Sequence, residues 1–280
     1  MADVLVSTDW AVQHRNDADK RFIEVDVDTT QYEAGHLPGA VAFNWQSQLQ
    51  DPIARDIISK DSFEKLTSEA GITPQTTVVL YGDNNNWFAA YAFWLFKYYG
   101  HEDVRLVDGG RKKFVAENRQ LVTDVPSYPK TNYKVGKVNA DLRADRDYIR
   151  GRLDKVGQGF NLVDVRSPAE FVGDIIAPPG MTETAQRPGH IPGAKNVPWA
   201  TAVAEDGTFK PVEELQKIYG GKGLSGENDL VAYCRIGERS SHTWFALKYL
   251  LGYQNVRNYD GSWTEWGNLI GAPIAKGAES

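Results

Sequence analysis

The feature that most constrains how this chain can fold is an internal repeat. Residues 78–114 align with residues 230–266 without a gap, at a constant offset of 152. Identical residues at this offset include Tyr81 and Tyr233, Phe93 and Phe245, Leu95 and Leu247, Gly100 and Gly252, Val104 and Val256, Arg105 and Arg257, Asp108 and Asp260, and Gly109 and Gly261. An internal repeat of this length predicts two similar units, each with a core of its own.

A second landmark recurs earlier in each half. Gly35–Ala40 reads Gly-His-Leu-Pro-Gly-Ala, and Gly189–Ala194 reads Gly-His-Ile-Pro-Gly-Ala. The histidines of these segments, His36 and His190, occur in both copies. Since imidazole serves readily as a hydrogen-bonding group in a core, we expect both to be structural.

The repeat also suggests the domain boundaries. We expect a first domain over residues 1–123, a linker over 124–142 that begins with a proline-containing polar stretch, and a second domain over 143–280. The second copy carries an insertion at about residues 173–187, which is rich in proline and glycine.

Within each copy, short runs of β-forming residues alternate with helical patterns. This alternation predicts an α/β fold in which each unit is a mostly parallel sheet flanked by helices. The predicted strands are Phe22–Val25, Val78–Tyr81, Val104–Val107, Asn161–Val165, Leu230–Cys234 and Val256–Tyr259. The clearest predicted helices are Trp87–Tyr99 and Arg239–Leu251, which Gly100 and Gly252 follow as C-terminal caps.

Cys234 is the single cysteine of the 280 residues, and it ends an apolar run. In a parallel sheet this position is the carboxyl end of a strand, where reactive groups of such sheets lie. The start of the following helix, together with Arg235 and Arg239, predicts a thiol with a lowered pKa. The alternative is an inert buried cysteine. The first copy has Gly82 at this place and Asp83 after it, so we expect that copy to be inactive.

Composition limits the classes of function. The net charge of −6 and the pI of about 5.5 argue against nucleic acid as a partner. The sequence shows neither an apolar stretch long enough to span a membrane nor a secretory signal pattern. One cysteine provides neither an internal disulfide nor a zinc site built from several cysteines. These features predict a cytoplasmic protein whose thiol stays reduced.

The tandem layout, the two His-x-Pro-Gly-Ala segments, Asp164-Val-Arg-Ser-Pro-x-Glu170 and Cys234-Arg-Ile-Gly-Glu-Arg239-Ser resemble the two-domain rhodaneses, in particular actinobacterial thiosulfate sulfurtransferases. The resemblance covers nearly the whole chain. It implies a ping-pong reaction in which Cys234 takes sulfane sulfur from thiosulfate and passes it, as a persulfide, to cyanide or another thiophilic acceptor. A thiol or a thioredoxin-like protein is a candidate for that acceptor. It implies no cofactor and no metal.

This chemistry suggests roles for the residues of the loop that follows Cys234. Thiosulfate is a dianion, so Arg235 and Arg239 are expected to hold its oxygens with forked donors. The N–H groups of the loop are expected to surround the persulfide. The predicted substrate-binding residues are Arg235, Ile236, Gly237, Glu238, Arg239 and Ser240. The hydroxyls of Ser240 and Ser241 are expected to cap the following helix.

A second group of residues is expected to support the loop. Asp164 and Arg166 are expected to form a buried polar pair, with an exposed surface pair as the alternative. Glu170 is expected to hold Arg239. Some vertebrate-type rhodaneses have a substrate-binding arginine at the position of Glu170, so this chain departs from their pattern. Trp263 is expected to line the pocket.

Three other functions remain open at this stage. A cysteine-dependent phosphatase uses the spacing Cys-x5-Arg, whereas Cys234 to Arg239 is Cys-x4-Arg, which makes a smaller loop. 3-Mercaptopyruvate is an alternative sulfur donor, although enzymes of that type tend to have glycine and serine after the nucleophile. A non-catalytic binding module fits the first copy better than the second, because the second keeps its cysteine.

Overall fold

The computed structural model describes residues 4–181 and 183–278, and the chain divides into two compact units. The first unit comprises the residues up to Ala140 together with Ala204–Thr208. The second comprises Asp141–Val203 together with the residues from Phe209 onward. Each unit is built on a parallel sheet of its own.

The first unit has five parallel strands in the order β1-β5-β4-β2-β3. The strands are β1 (Leu5–Val6), β2 (Lys20–Asp26), β3 (Val41–Asn44), β4 (Thr77–Tyr81) and β5 (Val104–Val107). The helices are α1 (Thr8–His14), α2 (Thr30–Ala34), α3 (Trp45–Gln48), α4 (Lys60–Glu69), α5 (Trp87–Tyr98) and α6 (Gly110–Ala116), with a 3-10 turn at Asn84–Asn86.

The second unit has four parallel strands in the order β7-β6-β8-β9. The strands are β6 (Phe160–Asp164), β7 (Lys195–Asn196), β8 (Asp229–Tyr233) and β9 (Val256–Tyr259). The α-helices are α7 (Arg146–Arg150), α8 (Pro168–Val172), α9 (Val212–Gly220), α10 (Glu238–Phe245) and α11 (Ser262–Trp266). A π-helical turn, Ala246–Leu250, continues α10, and 3-10 turns lie at Ala140–Leu142, Leu153–Lys155 and Trp199–Ala202.

The repeat seen in the sequence is also present in the topology. Strands β2, β3, β4 and β5 correspond to β6, β7, β8 and β9. At the edge of the first sheet, β1 pairs through Leu5 with Leu106. At the same place in the second unit, Arg143 forms an isolated parallel bridge with Asn258. The second unit thus replaces an edge strand by a single bridge.

The predicted parallel α/β fold is confirmed, and so are the predicted strands. Two strands end one residue earlier than predicted: β6 ends at Asp164, and β8 ends at Tyr233, so Cys234 follows the strand. Gly100 and Gly252 follow the helical segments with φ of +79° and +72°, as their predicted capping role requires. Within the described residues, no helix is long and apolar enough to cross a membrane.

The stretch that we expect to link the units contains no helix or strand between residues 123 and 139. Part of it nevertheless packs on the first unit. Tyr133 and Val135 are buried. The Tyr133 hydroxyl lies 3.0 Å from His101 Nδ1, and the Val135 N–H donates to Glu64 at 3.0 Å. Two apolar side chains and these hydrogen bonds hold this stretch against the body of the first unit.

Candidate active site

Cys234 is the first residue after β8, and its backbone is fixed by the start of α11. Its N–H donates a hydrogen bond to the Ser262 hydroxyl at 3.0 Å, and its carbonyl oxygen accepts one from the Trp263 N–H at 3.0 Å. The Cys234 side chain has no exposed surface. The position of the thiol therefore depends on residues that lie almost thirty positions further along the chain.

The loop after Cys234 turns its N–H groups toward the sulfur. The Gly237 N–H donates to Cys234 Sγ at 3.2 Å, and the Ser240 N–H also faces the sulfur. Gly237 has φ of +97°, and a Cβ atom there would lie 2.8 Å from Asp260 Cα, so the turn requires glycine. Ile236 is buried within the loop. Two of the N–H groups that we expect to face a persulfide are thus directed at Sγ.

The side chain of Glu238 contacts the thiol directly. Cys234 Sγ lies 3.3 Å from Glu238 Oε2, at hydrogen-bonding distance with the thiol as donor. The other oxygen, Oε1, lies 3.5 Å from Arg239 Nε and 4.0 Å from Arg235 Nη2. Glu238 is buried. Its carboxylate therefore lies between the sulfur and the two arginines.

The sequence predicts a lowered pKa for the Cys234 thiol, and this prediction is wrong. Burial raises the pKa of the Cys234 thiol above its usual value, and the negative charge of Glu238 adds to the effect. Arg239 and the Ser240 N–H act in the opposite direction but do not outweigh the first two causes. The sequence prediction counted the arginines and the helix start, but it did not place a carboxylate against the sulfur.

Arg239 is held by Glu170, as we expect. Its Nη1 and Nη2 donate to the two carboxylate oxygens of Glu170 at 3.1 and 3.2 Å. Glu170 also closes a capping box with Ser167 at the start of α8, so one carboxylate orders both elements. Burial alone would raise the pKa of Glu170, but Arg239 and Ser167 bring it below its usual range. The forked donors of Arg239 thus face Glu170.

Arg235 is buried, with 7% of its surface exposed, and its Nη2 lies 4.0 Å from Glu238 Oε1. Its Nη1 donates to the backbone oxygen of Glu183, in the insertion that the repeat revealed. Its Nε is buried and has no hydrogen-bond partner in the described part of the chain. A buried donor without a partner is costly, so this atom is suited to an acceptor that arrives from outside.

The expected pair of Asp164 and Arg166 is present and fully buried. Arg166 Nη2 lies 2.6 Å from Asp164 Oδ2 and donates to the Gly189 oxygen at 2.7 Å. The Arg166 guanidinium lies over the Trp263 ring, 4.5 Å from its centre. Trp263 is itself 1% exposed and belongs to the core, so it supports Arg166 and the Cys234 backbone, and the pocket-lining role that we expect for it is not seen.

The expected caps at Ser240 and Ser241 are wrong. The residue that precedes α10 is Gly237, and no side chain caps it. Both serine hydroxyls donate instead to the Gly237 carbonyl oxygen, at 3.1 and 2.7 Å. The Ser240 hydroxyl also lies 2.7 Å from Asn258 Oδ1. Because α10 is buried along its whole length, its hydroxyls find their partners inside the protein.

Sequence reasoning missed the contacts that the turn after β9 makes with the site. Ser262 binds the Cys234 N–H, and Arg143 holds Asp260 through two hydrogen bonds of 2.7 and 2.9 Å. Ser262 has φ of +50°, and Gly110, at the same place in the repeat, has φ of +54°. A serine at a position where the other copy has glycine is the sequence signal that identifies it.

The two histidines that the repeats share have structural partners. His36 Nδ1 lies 2.9 Å from the Tyr32 oxygen, and His190 Nδ1 lies 2.8 Å from the Phe171 oxygen. A third histidine, His242, is buried among aromatic rings, and burial lowers its pKa to about 3. Across residues 4–181 and 183–278, no group of His, Cys, Asp and Glu side chains is arranged to hold a metal ion.

The corresponding loop of the first unit is built differently. A Cβ atom at Gly82 would lie 2.3 Å from the Val25 oxygen, so this position has no room for a cysteine. The Gly82 N–H donates to the Asn86 side chain at 3.0 Å. Asn84, Asn85 and Asn86 all have positive φ. The first loop therefore lacks both a thiol and the space for one.

The family model of the Rhodanese-like domain matches residues 7–117 and 141–269. The chain belongs to the rhodanese family and carries two such domains in tandem. A Thermus thermophilus protein named sulfur carrier protein TtuD is 57% identical to it, over 99% of this chain and 98% of that protein. A Haloferax volcanii protein, provisionally named thiosulfate sulfurtransferase, is 55% identical over 98% of this chain and 97% of its own length.

Actinobacterial relatives are also found, as the sequence motifs predict. A Mycolicibacterium smegmatis protein with the same provisional name is 55% identical over 99% of both chains. Among solved structures, SseA of Escherichia coli, described as a 3-mercaptopyruvate sulfotransferase, superposes with a TM-score of 0.80 at 25% identity, over 93% of this chain and 99% of that one. These similarities identify a sulfurtransferase of the rhodanese kind.

Proposed function

We propose that the protein is a thiosulfate sulfurtransferase that carries sulfane sulfur on Cys234 as a persulfide. The observation that carries this proposal is a pair of donors in the loop, one at the sulfur and one on the residue that follows the cysteine. The Gly237 N–H is directed at Sγ, and the buried Nε of Arg235 has no partner in the described residues. A negatively charged sulfur ligand would satisfy both donors, and oriented N–H groups stabilise such charge without reorganisation.

The reaction has two half-steps. In the first, the Cys234 thiolate attacks the outer sulfur of thiosulfate. A bond forms between Sγ and that sulfur, the sulfur–sulfur bond of thiosulfate breaks, and its electron pair leaves on sulfite. In the second, an acceptor such as cyanide attacks the outer sulfur of the persulfide, which returns Cys234 to the thiolate and releases thiocyanate.

Thiosulfate is preferred over 3-mercaptopyruvate because of the charge at Arg235. A dianionic donor must approach a thiolate, and a guanidinium on the residue after the cysteine would offset that repulsion. 3-Mercaptopyruvate stays the alternative donor, since a structural neighbour of this chain is described as acting on it. The two donors are separated by their kcat/KM values with cyanide as the common acceptor. A value far higher for 3-mercaptopyruvate contradicts the proposed donor.

A phosphatase is the less favoured alternative. The loop has the spacing Cys-x4-Arg, which is shorter than that of the phosphatases. The forked donors of Arg239 also bind Glu170, which leaves fewer donors for the oxygens of a phosphate ester. Hydrolysis of p-nitrophenyl phosphate tests this alternative. Robust turnover that is lost in Cys234→Ser contradicts the sulfurtransferase proposal.

We also propose that the sulfur acceptor in the cell is a protein or a small thiol. The relative named sulfur carrier protein TtuD is 57% identical to this chain, and this similarity favours delivery of the sulfur to another protein. Thioredoxin-like proteins and other thiols are candidate acceptors. A cytoplasmic location, in which a single cysteine stays reduced, belongs to the same proposal.

The division of labour between the two halves is also part of the proposal. We propose that residues 1–123 form a catalytically inactive domain, that 124–142 form a linker and that 143–280 form the catalytic domain. The missing thiol at Gly82 and the clash that a Cβ would make there support the inactivity of the first domain.

The mass of the intact protein after exposure to thiosulfate tests the proposed function. We expect wild-type protein to gain the mass of one sulfur atom and to lose it again when cyanide is added. Cys234→Ser is the control and should gain nothing. Because the chain has one cysteine, a gain assigns the persulfide to Cys234 without further mapping. Wild-type protein that gains no mass contradicts the proposal.

A further inference from the structure

The Cys234 thiol and the Glu238 carboxylate form a buried pair. Sγ and Oε2 are 3.3 Å apart, the cysteine side chain is 0% exposed, and Glu238 is 2% exposed. Glu238 is the first residue of α10, four positions after Cys234, so its side chain reaches back across the turn to the sulfur. In the first unit Gly82 and Asn86 occupy the two positions, and the Asn86 side chain accepts a hydrogen bond from the Gly82 N–H.

A buried thiol needs a route for its proton before it can act as a nucleophile. The thiolate is the reactive form of cysteine, and burial holds Cys234 in the thiol form by raising its pKa. The Cys234 side chain has no surface exposed to bulk water, to which the proton could otherwise pass. A group of the protein that touches Sγ is therefore better placed than bulk water to take the proton.

The other groups at the sulfur are unsuited to receive a proton. The N–H groups of Gly237 and Ser240 are donors, and the Ser240 hydroxyl, which also acts on the sulfur, donates to the Gly237 oxygen. The Ser262 hydroxyl lies 4.0 Å from Sγ, where it accepts the Cys234 N–H and donates to the Tyr259 oxygen. Glu238 Oε2 is an acceptor at hydrogen-bonding distance, which is the geometry that a general base requires.

Charged groups around the pair have partners of their own. Those of neighbouring elements are Glu170 of α8, which binds Arg239, Asp260 after β9, which binds Arg143, and Asp164 of β6, which binds Arg166. Arg239 Nε lies 3.5 Å from Glu238 Oε1, and Arg235 Nη2 lies 4.0 Å away. Two cations therefore lie against the oxygen of Glu238 that does not contact the sulfur.

We propose that Glu238 is a catalytic residue, the general base that takes the proton of the Cys234 thiol as the thiolate attacks the sulfur donor. The proposal rests on the proposed function and adds a role for this side chain. The S–H bond breaks, and its proton forms an O–H bond with Oε2. The electron pair left on Sγ makes the new bond to the outer sulfur, and sulfite leaves with the pair of the broken bond.

The proton stays within the site for the rest of the cycle. When the acceptor removes the outer sulfur, the electron pair of the persulfide bond returns to Sγ, and the proton returns to it from Glu238. The resting pair, with thiol and carboxylate, and the reactive pair, with thiolate and carboxylic acid, contain the same number of protons. Their ratio therefore does not depend on pH while this one proton is shared.

A different role for Glu238 makes the opposite prediction. If its charge only holds the thiol protonated, removing that charge lowers the thiol pKa and speeds every reaction of the sulfur. If Glu238 is the base, its removal lowers the thiol pKa but slows reaction at neutral pH. The two roles are separated by the sign of one rate change.

The experiment compares wild-type protein with Glu238→Gln, Glu238→Asp and the control Glu213→Gln, which removes an exposed glutamate of α9. For each, we measure the thiolate by its ultraviolet absorbance against pH, and the rates of persulfide formation with thiosulfate and of alkylation by iodoacetamide. Because Cys234 is the only cysteine, each signal reports that residue. Thermal unfolding of each variant checks that it is folded.

We expect wild-type and Glu213→Gln rates to be nearly constant across neutral pH. In Glu238→Gln, persulfide formation at pH 7 should fall about tenfold or more, which is within the usual contribution of a general base. Its rate should then rise about tenfold for each pH unit below the thiol pKa, because the thiolate must form by loss of a proton to solvent. Glu238→Asp keeps a carboxylate and should retain the flat profile at a reduced rate.

Two results overturn the proposal. One is a rate in Glu238→Gln that is equal to or above that of wild type at pH 7. The other is a wild-type rate that rises with pH in proportion to the thiolate. Iodoacetamide keeps the test independent of the sulfur donor. Wild-type protein that is alkylated with a flat profile but forms no persulfide retains the base and contradicts the proposed function.

Discussion

The Ser262 hydroxyl accepts a hydrogen bond from the Cys234 N–H at 3.0 Å, although Ser262 has a left-handed backbone with φ of +50°. Glycine adopts this conformation at lower cost than a residue with a side chain, and the first unit has Gly110 at this place. The second unit therefore accepts backbone strain at the position that supplies a partner for the cysteine amide.

This relationship predicts an order of stability. Ser262→Ala keeps the strain and leaves a buried N–H without its acceptor, so we expect a loss of about 1–3 kcal/mol in the free energy of unfolding. Ser262→Gly loses the same hydrogen bond but relieves the strain, so it should be more stable than Ser262→Ala by about 1 kcal/mol. Chemical denaturation measures both. An alanine variant as stable as the glycine variant contradicts the strain at this position.

The pair of Arg239 and Glu170 predicts a strong effect of charge removal. Glu170→Ala leaves the buried Arg239 without its forked partner, and breaking a buried pair in this way costs about 3–5 kcal/mol. Glu170→Gln keeps the size and part of the hydrogen bonding at the start of α8, so it should cost less. Urea unfolding measures both, with exposed Glu214→Ala as the control. Equal losses in the two Glu170 variants contradict a role for the charge.

Arg235→Ala should raise the KM for thiosulfate with little change in the thermal unfolding temperature. The lost contact is a hydrogen bond from a charged group, worth about 1.5–3 kcal/mol, so KM should rise about 10- to 100-fold. Arg235→Lys keeps the positive charge but not the forked donors, so its KM for thiosulfate should lie between those of wild type and Arg235→Ala. Steady-state kinetics with cyanide as acceptor measure the change, with exposed Arg150→Ala as the control. An unchanged KM in Arg235→Ala contradicts donor binding by this residue.

Moving the cysteine to the first unit should not restore activity. In the double variant Gly82→Cys with Cys234→Ser, we expect no gain of sulfur mass after thiosulfate, because a Cβ at position 82 lies 2.3 Å from the Val25 oxygen. Gly82→Ala should be destabilised by the same clash without adding a thiol. Intact mass and thermal unfolding measure the two effects. A gain of one sulfur atom by the double variant contradicts the structural basis of the proposed inactivity.

A buried carboxyl in the first unit predicts a pH-dependent stability. Burial raises the pKa of Asp26 from 3.8 to about 8, and Glu24 adds to the rise, although the Asp83 N–H opposes it. The folded state then holds a proton that the unfolded state has lost. The free energy of unfolding should therefore fall as the pH rises from 3.8 to about 8, and the whole contribution is lost above that range.

Asp26→Asn removes this titration. Its stability relative to wild type should increase from about pH 4 to about pH 8 and then become constant, because other titrating groups contribute equally to both proteins. Thermal unfolding over this pH range measures the difference. Exposed Asp124→Asn is the control and should show a constant difference. A constant difference in Asp26→Asn as well contradicts the raised pKa.

Much of the fold follows from local patterns in the sequence. The repeat predicts two units, and the alternation of strand and helix patterns predicts parallel sheets. Cys234 could be placed at the end of a strand because apolar runs and glycine caps are local signals. The pair of Arg239 and Glu170 could be expected because the resemblance to the rhodaneses implies it.

The direction of the thiol pKa shift and the hydrogen-bond partners of the loop hydroxyls could not be predicted from local patterns. Counting nearby arginines and a helix start gives the wrong direction, because the thiol is fully buried and a carboxylate lies 3.3 Å from it. The hydroxyls of Ser240 and Ser241 bind the Gly237 oxygen because α10 is enclosed by the protein. Burial depends on what packs around a residue, which no local pattern states.

The sequence by itself determined that the chain folds as two related α/β units and that only the second keeps a cysteine at the end of its strand. Only the tertiary structure decided how that thiol is held. It placed Ser262 on the cysteine amide and Glu238 on the sulfur, and it left Arg235 Nε without a partner in the described residues. The physical reason is that electrostatic energies depend on distance and on exclusion of water, and these are set by residues far apart in the chain.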